Sequence, residues 1–554
     1  MVREYIGARY VPKFSDNPYD PTQDYEALTV VDNGMGTSYI TKIPTPAGTP
    51  LTNTTHWHIY GASSGAIINL QNQIDVINNK MNSVCVDSYG AIGDGVTDDT
   101  QAFIDAFSDA KVVSLNANKS YLIKDVTMPV GAWLVGPGEI VFDFEIDTNC
   151  IKLSGNNKII GVKFTDNGST LYNDPYGIIY GFEVENVEVS NCIFDDIHIG
   201  YAIHIDHSNH ININHNSITD YSWCGIMCLH TCKYIDIEYN YVYNGRAQID
   251  GNRYPISVSG YRGHNYGASE FVKCNYNYIE DVMPYWEGID SHGVVNAEFI
   301  GNTIKGVCSG IVLTVPSSTS GTLSYNNTNI TIRDNCISTN SAPSLGTPVY
   351  NRGIIVSGDA NNGIDNVIIE NNFVTCNDTT PTNTATSSCI GVNANKHVNN
   401  VVIKNNKIVG VPDGIGVTSQ LSLTSVEVSN NDIEAIGAIN PQYAAISFKE
   451  VGTTYANIVV KENRMHGLSN THVSYRGTTI SGDGGQLITY KNNDDTNNYG
   501  YNNFTTTPHN SLPSATKAVG KIGDFIENEY SSTNAMGWYC RGAGDWLEIA
   551  GTPQ

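Results

Sequence analysis

The chain has 554 residues, with 30 Lys and Arg against 55 Asp and Glu, a formal net charge of −25, and only 15% charged residues. Without a surplus of cations to neutralise phosphates, it is not a general binder of nucleic acid or anionic membrane. No run of about 18 apolar residues is present to cross a bilayer, and 52 Gly with 33 Tyr imply a neutral, polar surface suited to sugars or to other protein.

A chain this long exceeds one ordinary core unless the core grows along an axis. It opens "MVREYIGARY", with no apolar h-region, which predicts no secretory leader. Residues 1–60 are punctuated by Tyr and Pro and read as short strands and turns. In residues 61–83, Ile67, Leu70, Ile74, Ile77 and Met81 step by 3, 4, 3, 4, the a/d seam of a short coiled-coil neck. Two heptads alone are marginal in water, and the polar opposite face fits a bundle between subunits. Ile at a with Leu or Ile at d is compatible with a trimer without specifying one.

Residues 84–138 begin "VCVDSYGAIGDGVTDDTQAFIDAF". The Gly-rich turn predicts a helix over 98–110, capped by Thr97 or Asp98, with Phe103, Ala106, Phe107 and Ala110 as its apolar stripe. Then "VVSLNANKSYLI" reads as strand, turn, strand.

From 139 to 495 one phrase recurs: "INHNSI", "IEYNYV", "IRDNCI", "IENNFV", "IKNNKI", "VSNNDI". Aligning its fourth residue gives Cys192, Asn216, Asn240, Asn277, Asn302, Asn335, Asn372, Asn406, Asn431 and Asn463, with steps of 24, 24, 37, 25, 33, 37, 34, 25 and 32. The shortest steps fit one coil of a β-helix and the longer ones are coils carrying loops. The Asn column is expected to stack as a hydrogen-bonded ladder. A second phrase is "AIHID", "GIMCL", "PISVS", "GIDSH", "GIVLT", "GIIVS", "GIGVT". It turns its second and fourth residues inward and its third and fifth toward solvent. Residues 496–554 break the pattern and end in a small β-rich module.

Twelve Cys lack a disulfide-framework spacing. Cys224, Cys228, His230 and Cys232 look like a zinc set, but strand residues four apart lie about 13 Å apart and cannot converge on one ion. Buried, reduced cysteines are expected.

"YGAIGDGVTDDTQAF" followed by "VVSLNANKSYLI" resembles the opening of the pectate-lyase-type right-handed parallel β-helix, a superfamily of polygalacturonases, lyases and phage tail spikes. "YIGARYVPKF" through "THWHIYG" resembles the virion-attachment module of short-tailed phages of Gram-positive hosts, and "GWYCRGAGDW" resembles the closing segment of many phage tail proteins. The resemblance implies an all-β fold: attachment module, helical neck, parallel β-helix and β-rich end, assembled as a trimer. It implies a tail spike located in the virion and assembled in the host cytoplasm. Its partners would be tail or connector proteins through residues 1–82 and a host capsule or wall teichoic acid, which it binds and depolymerises, as a glycoside hydrolase before a lyase. The alternatives are an adhesin of the same shape and a cellular pectin-type hydrolase or lyase. Against the last, polygalacturonases carry Gly-Asp-Asp, Gly-His-Gly and Arg-x-Lys on neighbouring coils. Here Asp195–Asp196 and Ser291-His292-Gly293 lack the first Gly, lie coils apart, and no Arg-x-Lys follows at that spacing.

Glycosidase chemistry needs two carboxyl groups about 5–5.5 Å apart for retention or about 6.5–9.5 Å for inversion. The stretch "EGIDSHG" supplies Asp290 as base or nucleophile, Glu287 as acid and His292 as orienting group, with Asp250 as a second candidate acid. His204 and Asp206 lie outward on an earlier coil. The insertion "NGRAQIDGNRYPISVSGYRGHNYGASE" adds Arg246, Arg253, Tyr261 and Arg262 for an anionic sugar or phosphate. The sequence identifies no certain cofactor; Asp195, Asp196, Asp220, Glu280 and Asp281 could ligate Ca²⁺ or form a solvated edge, the second being the commoner case.

Overall fold

The computed structural model describes residues 13–14, 18–33, 37–62, 83–143, 148–169, 176–246, 253–259, 267–282, 286–315, 327–340, 352–358, 362–377, 388–410, 413–435, 445–450, 454–466, 473–477, 488–491, 494–495, 525–527, 535–542 and 545–550. The chain divides into two compact units, residues 1–83 and 84–554. The expected neck helix at 67–81 lies outside the described residues.

In the first unit, strands Lys13–Phe14, Thr29–Asp32, Thr37–Thr41 and Trp57–Ala62 form one sheet in that order. Its small core is aromatic: Trp57 meets Tyr25 and Tyr19 edge-on at 5.4 and 5.7 Å between centroids. The Trp57 indole donates to the Thr49 carbonyl at 3.2 Å. Its polar edge is thus satisfied as the ring is buried.

The second unit is a right-handed parallel β-helix. Among the described residues three parallel sheets run its length: sheet one and sheet two of 15 strands, and sheet three of 13. The register explains the repeated phrases. In sheet one Ile211 pairs with Ile235, and Ile213 with Ile237, continuing the inward columns set by Val187 and Val189. In sheet three Ile179, Ile203, Ile226 and Ile256 stack in one column, and Ile289 and Ile311 extend it. All are fully buried, so each coil continues the same apolar cylinder.

The doubled Asn of the phrase has two separate jobs. The first residue of the pair is left-handed, as at Asn371 (φ 58°), Asn405 (φ 57°) and Asn430 (φ 54°). Asn tolerates that conformation better than most residues. The second is buried, and its amide forms the ladder. Asn335 Nδ2 donates to Asn372 Oδ1 at 2.9 Å and to the Phe299 carbonyl at 2.9 Å, and its Oδ1 accepts from the Asn302 backbone N–H at 2.8 Å. The ladder runs from Asn216 to Asn463 as expected, and at its start the Cys192 N–H donates to Asn216 Oδ1. Where His215, Tyr239 and Tyr276 fill the left-handed position, their rings stack at 5.0 and 5.1 Å.

The single α-helix among the described residues, α1, spans Thr100–Asp109. It begins two residues later than the sequence predicts, because Asp99 takes the N-cap position while its carboxylate turns back to the Ile92 and Gly93 N–H groups at 2.7 and 3.0 Å. Phe103, Ala106 and Phe107 are buried against the first coil, whereas Ala110 caps the C-terminus. Below the helix, Asp87 accepts from the Tyr121 hydroxyl at 2.7 Å and pairs with Lys119 at 3.0 Å. Burial works to raise the Asp87 carboxyl, and these partners outweigh it and hold the group below its ordinary value. A folded value below the unfolded one stabilises at higher pH, and that contribution fades as pH falls through the folded value. Acidification below about pH 4 should therefore loosen the first coil. Amide exchange at Tyr121–Ile123 should accelerate in acid for the wild type and lose that acid dependence in Asp87→Asn.

Of the eleven described cysteines none is in a disulfide, and nine are buried, with Cys85 half-buried and Cys336 exposed. Burial pushes the Cys192 and Cys232 thiols up to about 12, so they remain protonated. At the far end, Phe525–Glu527, Ala535–Gly542 and Asp545–Ala550 form a three-stranded antiparallel sheet.

Candidate functional site

The outward columns of sheet three depart most from a neutral surface between residues 176 and 314. His204, Met227, Ser257 and Asp290 occupy one column on successive coils. Asp290 thus stands three coils from His204, about 14 Å at about 4.8 Å per strand. The expectation that these outward side chains meet solvent is corrected: His204 is 5% exposed, Asp206 8% and Asp290 2%. They are covered partly because each is packed between the side chains of neighbouring coils at strand spacing.

At strand Glu287–His292, Asp290 Oδ2 accepts from the Ser257 hydroxyl at 2.9 Å and from Ser259 at 3.4 Å, and lies 3.5 Å from His292 Nε2. His292 Nδ1 meets the Thr314 hydroxyl at 3.0 Å, which fixes the ring. Asp290 Oδ1 is buried with no hydrogen-bond partner. A buried carboxylate oxygen is normally satisfied, and this one stands as an exception. Glu287 is half-buried at the start of the same strand. It stands three residues away, which separates the two Cα atoms by about 10 Å. Only two residue pairs, Ile256 with Ile289 and Ser257 with Asp290, hold this strand to Tyr254–Ser259, against five on the next strand, Ser309–Thr314.

Three coils nearer the N-terminus, aromatic rings enclose an acid and several imidazoles. His204 stacks on Tyr201 at 4.4 Å and meets Tyr180 edge-on at 5.2 Å, and Trp223 packs on Tyr201 at 5.1 Å. Asp206 Oδ1 lies 2.6 Å from His230 Nδ1 and 2.8 Å from His207 Nδ1. Burial works to raise the Asp206 carboxyl, but the hydrogen bond from His230 and the nearby His204 and His207 hold it below its ordinary value.

A third group sits at the corner leading into sheet three. The Asp166 carboxylate is fully covered and accepts from the backbone N–H groups of Gly168 (2.9 Å), His198 (2.6 Å) and Ile199 (3.2 Å), and holds His198 Nδ1 at 2.8 Å. His198 Nε2 is 3.9 Å from Asp196, whose carboxylate is 60% exposed by side chain and receives Arg246 NH1 at 2.5 Å. An imidazole oriented by a buried carboxylate is a positioned acid or base.

The structure thus brings Asp290 and His292 together, and Asp206 with His204, but keeps these pairs on different coils. Arg246 engages Asp196 rather than standing as a free cation. Arg253 is fully buried, its Nε donating to the Arg246 carbonyl. Asp250, Tyr261 and Arg262 lie outside the described residues. The sequence reading missed Asp166, His198, His207, Tyr180, Tyr201 and Trp223, and weighed His230 only within a set of cysteines. In the sequence His207 and His230 lie about one coil apart, and that spacing is the signal that would have found them.

No protein-family model matches the chain, and no curated protein matches it. Among solved structures it is similar to PfbA, a surface adhesin of Streptococcus pneumoniae, at 15% identity and TM-score 0.47, over 67% of this chain and 92% of that one. It is similar to gene product 12 of bacteriophage phi29 at 14% identity and TM-score 0.43, over 74% of this chain and 58% of that one. A mutant tailspike protein of E. coli bacteriophage HK620, in complex with a pentasaccharide, matches at 11% identity and TM-score 0.40, over 71% and 72%. Likeness of this degree carries no function.

Proposed function

We propose that this chain is a tail spike or appendage of a short-tailed bacteriophage that binds a host cell-surface glycan, a capsule or wall teichoic acid, and depolymerises it during adsorption. The observation that supports cleavage is Asp290, a buried carboxylate with one oxygen tethered by Ser257 and the other bare. Asp290 acts as base or nucleophile with His292 orienting it, and Asp250 is the acid, because Glu287, three residues from Asp290 on one strand, projects to the opposite face. The half-buried rings of Tyr180 and Trp223 are the aromatic groups here that could meet a sugar ring, with the buried Tyr201 supporting Trp223 from behind. Incubating the purified protein with host wall or capsule glycan tests the proposal. Discrete oligosaccharides support hydrolysis, unsaturated ends absorbing in the ultraviolet mean a lyase, and binding without products means an adhesin. The adhesin is the second reading, and the 2% exposure of Asp290 favours it.

In this proposal residues 1–60 attach to the virion, 61–83 form the neck, 84–138 open the β-helix with α1, 139–495 carry the glycan site and 496–554 close the spike. The intact protein should be a homotrimer, and light scattering that returns a monomer mass would count against the spike. Deleting residues 1–82 should leave a folded, glycan-active protein that no longer joins particles. Incorporation of the shortened chain into virions would overturn the assignment.

A further inference from the structure

We propose that Asp206, His207 and His230 bind a divalent transition-metal ion, Zn²⁺ or a close relative, on the flank of the β-helix. Independently of any glycan, the argument rests on how two adjacent coils bring three donor atoms to one point. Asp206 ends strand Tyr201–Asp206, His207 turns the corner immediately after it, and His230 turns the same corner one coil on. The His207 N–H donates to the Leu229 carbonyl, which locks the two corners in register. Both histidines are left-handed, with φ of 48° and 52°. Their rings face each other at 5.0 Å and an angle of 35°.

Within this frame the two Nδ1 atoms approach the same carboxylate oxygen, at 2.8 and 2.6 Å, and all three donor atoms lie within 4.8 Å of one another. A tetrahedral ion with bonds of about 2.0–2.1 Å holds its ligands about 3.3 Å apart. The two imidazole–carboxylate distances therefore need to open by about 0.5–0.7 Å, and the two nitrogens, at most 4.8 Å apart, to settle at the same spacing, by rotation of each ring. Glu183 occupies the same corner one coil below, left-handed like the histidines and exposed, its N–H donating to the Asp206 carbonyl. Its carboxylate is not part of the trio, and a fourth position is left to water or to an anionic group of a bound molecule. Two imidazoles with one carboxylate suit Zn²⁺, Co²⁺, Fe²⁺ or Ni²⁺, whereas Ca²⁺ and Mg²⁺ prefer all-oxygen shells.

This site differs from both metal readings of the sequence. The sequence groups His230 with Cys224, Cys228 and Cys232, but no cysteine joins the trio among the described residues. The acidic edge around Asp195 and Asp196, the sequence-level candidate for Ca²⁺, offers no such trio among the described residues.

The test uses the full-length, tag-free protein after chelation and dialysis. Zn²⁺ titration by calorimetry should give one ion per chain, and Co²⁺ should give the visible absorption of a tetrahedral site that Zn²⁺ abolishes. Ca²⁺ at the same concentration should give no heat. His207→Ala and His230→Ala should each weaken Zn²⁺ by more than about 100-fold, beyond the roughly 10–100-fold cost of losing an outer partner. Glu183→Gln should weaken it less. Should Asp206→Asn fail to fold, the two histidine variants still decide the matter, since both residues lie at surface corners and their circular dichroism can be compared directly with the wild type. No Zn²⁺ uptake, or uptake unchanged in the His207→Ala/His230→Ala double variant, overturns the proposal.

Discussion

Asn335→Ala should lower the stability of the β-helix by about 3–5 kcal/mol, counting about 1–3 kcal/mol for each buried polar group left without a partner. The substitution deletes one side chain but strands several neighbours. The Asn302 N–H and amide lose their acceptor, and the Phe299 carbonyl and Asn372 Oδ1 lose a donor. Water cannot replace them easily, because Asn335 and its ladder neighbours are 0–2% exposed. Asn335→Asp should be no better, since it keeps the acceptor, loses both donors and adds a buried charge. The residue before each ladder position offers the matched control. Asn371→Gly keeps the left-handed backbone and should change stability by no more than a few tenths of a kcal/mol, while Asn371→Ala should cost about 1–2 kcal/mol. Thermal and denaturant melts of the set check this ordering. A ladder substitution no costlier than its neighbour would mean that the amide column is decorative.

Asp290→Asn should reduce glycan cleavage by about 10²–10⁴-fold, the usual worth of a positioned acid or base. Fold and assembly should survive. The Asn carbonyl oxygen still accepts from Ser257, and the outward side chain contributes nothing to the aliphatic column that Ile289 continues. Initial rates on the host glycan, together with melting temperature and mass, separate the two effects. Ser257→Ala should slow cleavage less, because it loosens the carboxylate without removing it. Undiminished turnover in Asp290→Asn would clear this strand of a chemical role and direct attention to Asp166, His198 and Asp206.

The fold was legible because its information is periodic. An apolar residue three places before and another two places after each ladder Asn recur whatever the loop length, so "IENNFV" and "IKNNKI" announce the same corner. The two roles of the doubled Asn, one for backbone hand and one for the ladder, emerged only with the dihedral angles. The candidate site was legible in part. Asp290, His292, His204 and Asp206 stood out as charges within a neutral phrase, and the register places Ser257 beside Asp290. Their burial was not legible, because alternation tells which way a side chain points and nothing about what covers it. Asp166 and His198 escaped because 32 residues and a coil with an insertion separate them. His207 escaped because it lies just past the phrase that drew attention to Asp206.

The thin pairing between Tyr254–Ser259 and Glu287–His292 has a mechanical meaning. Hydrogen bonds between coils point along the axis of the β-helix, so a pull along that axis loads the coils in series. Each seam then bears the whole force, and sheet three has only two registered pairs at this one. The carboxylate of Asp290 sits at the lip of that seam, so tension on the shaft would be felt there before it reached the better-paired strands on either side. Force spectroscopy with handles at the two ends should find an early, small extension, and crosslinking Ser259 to the facing strand through engineered cysteines should abolish it.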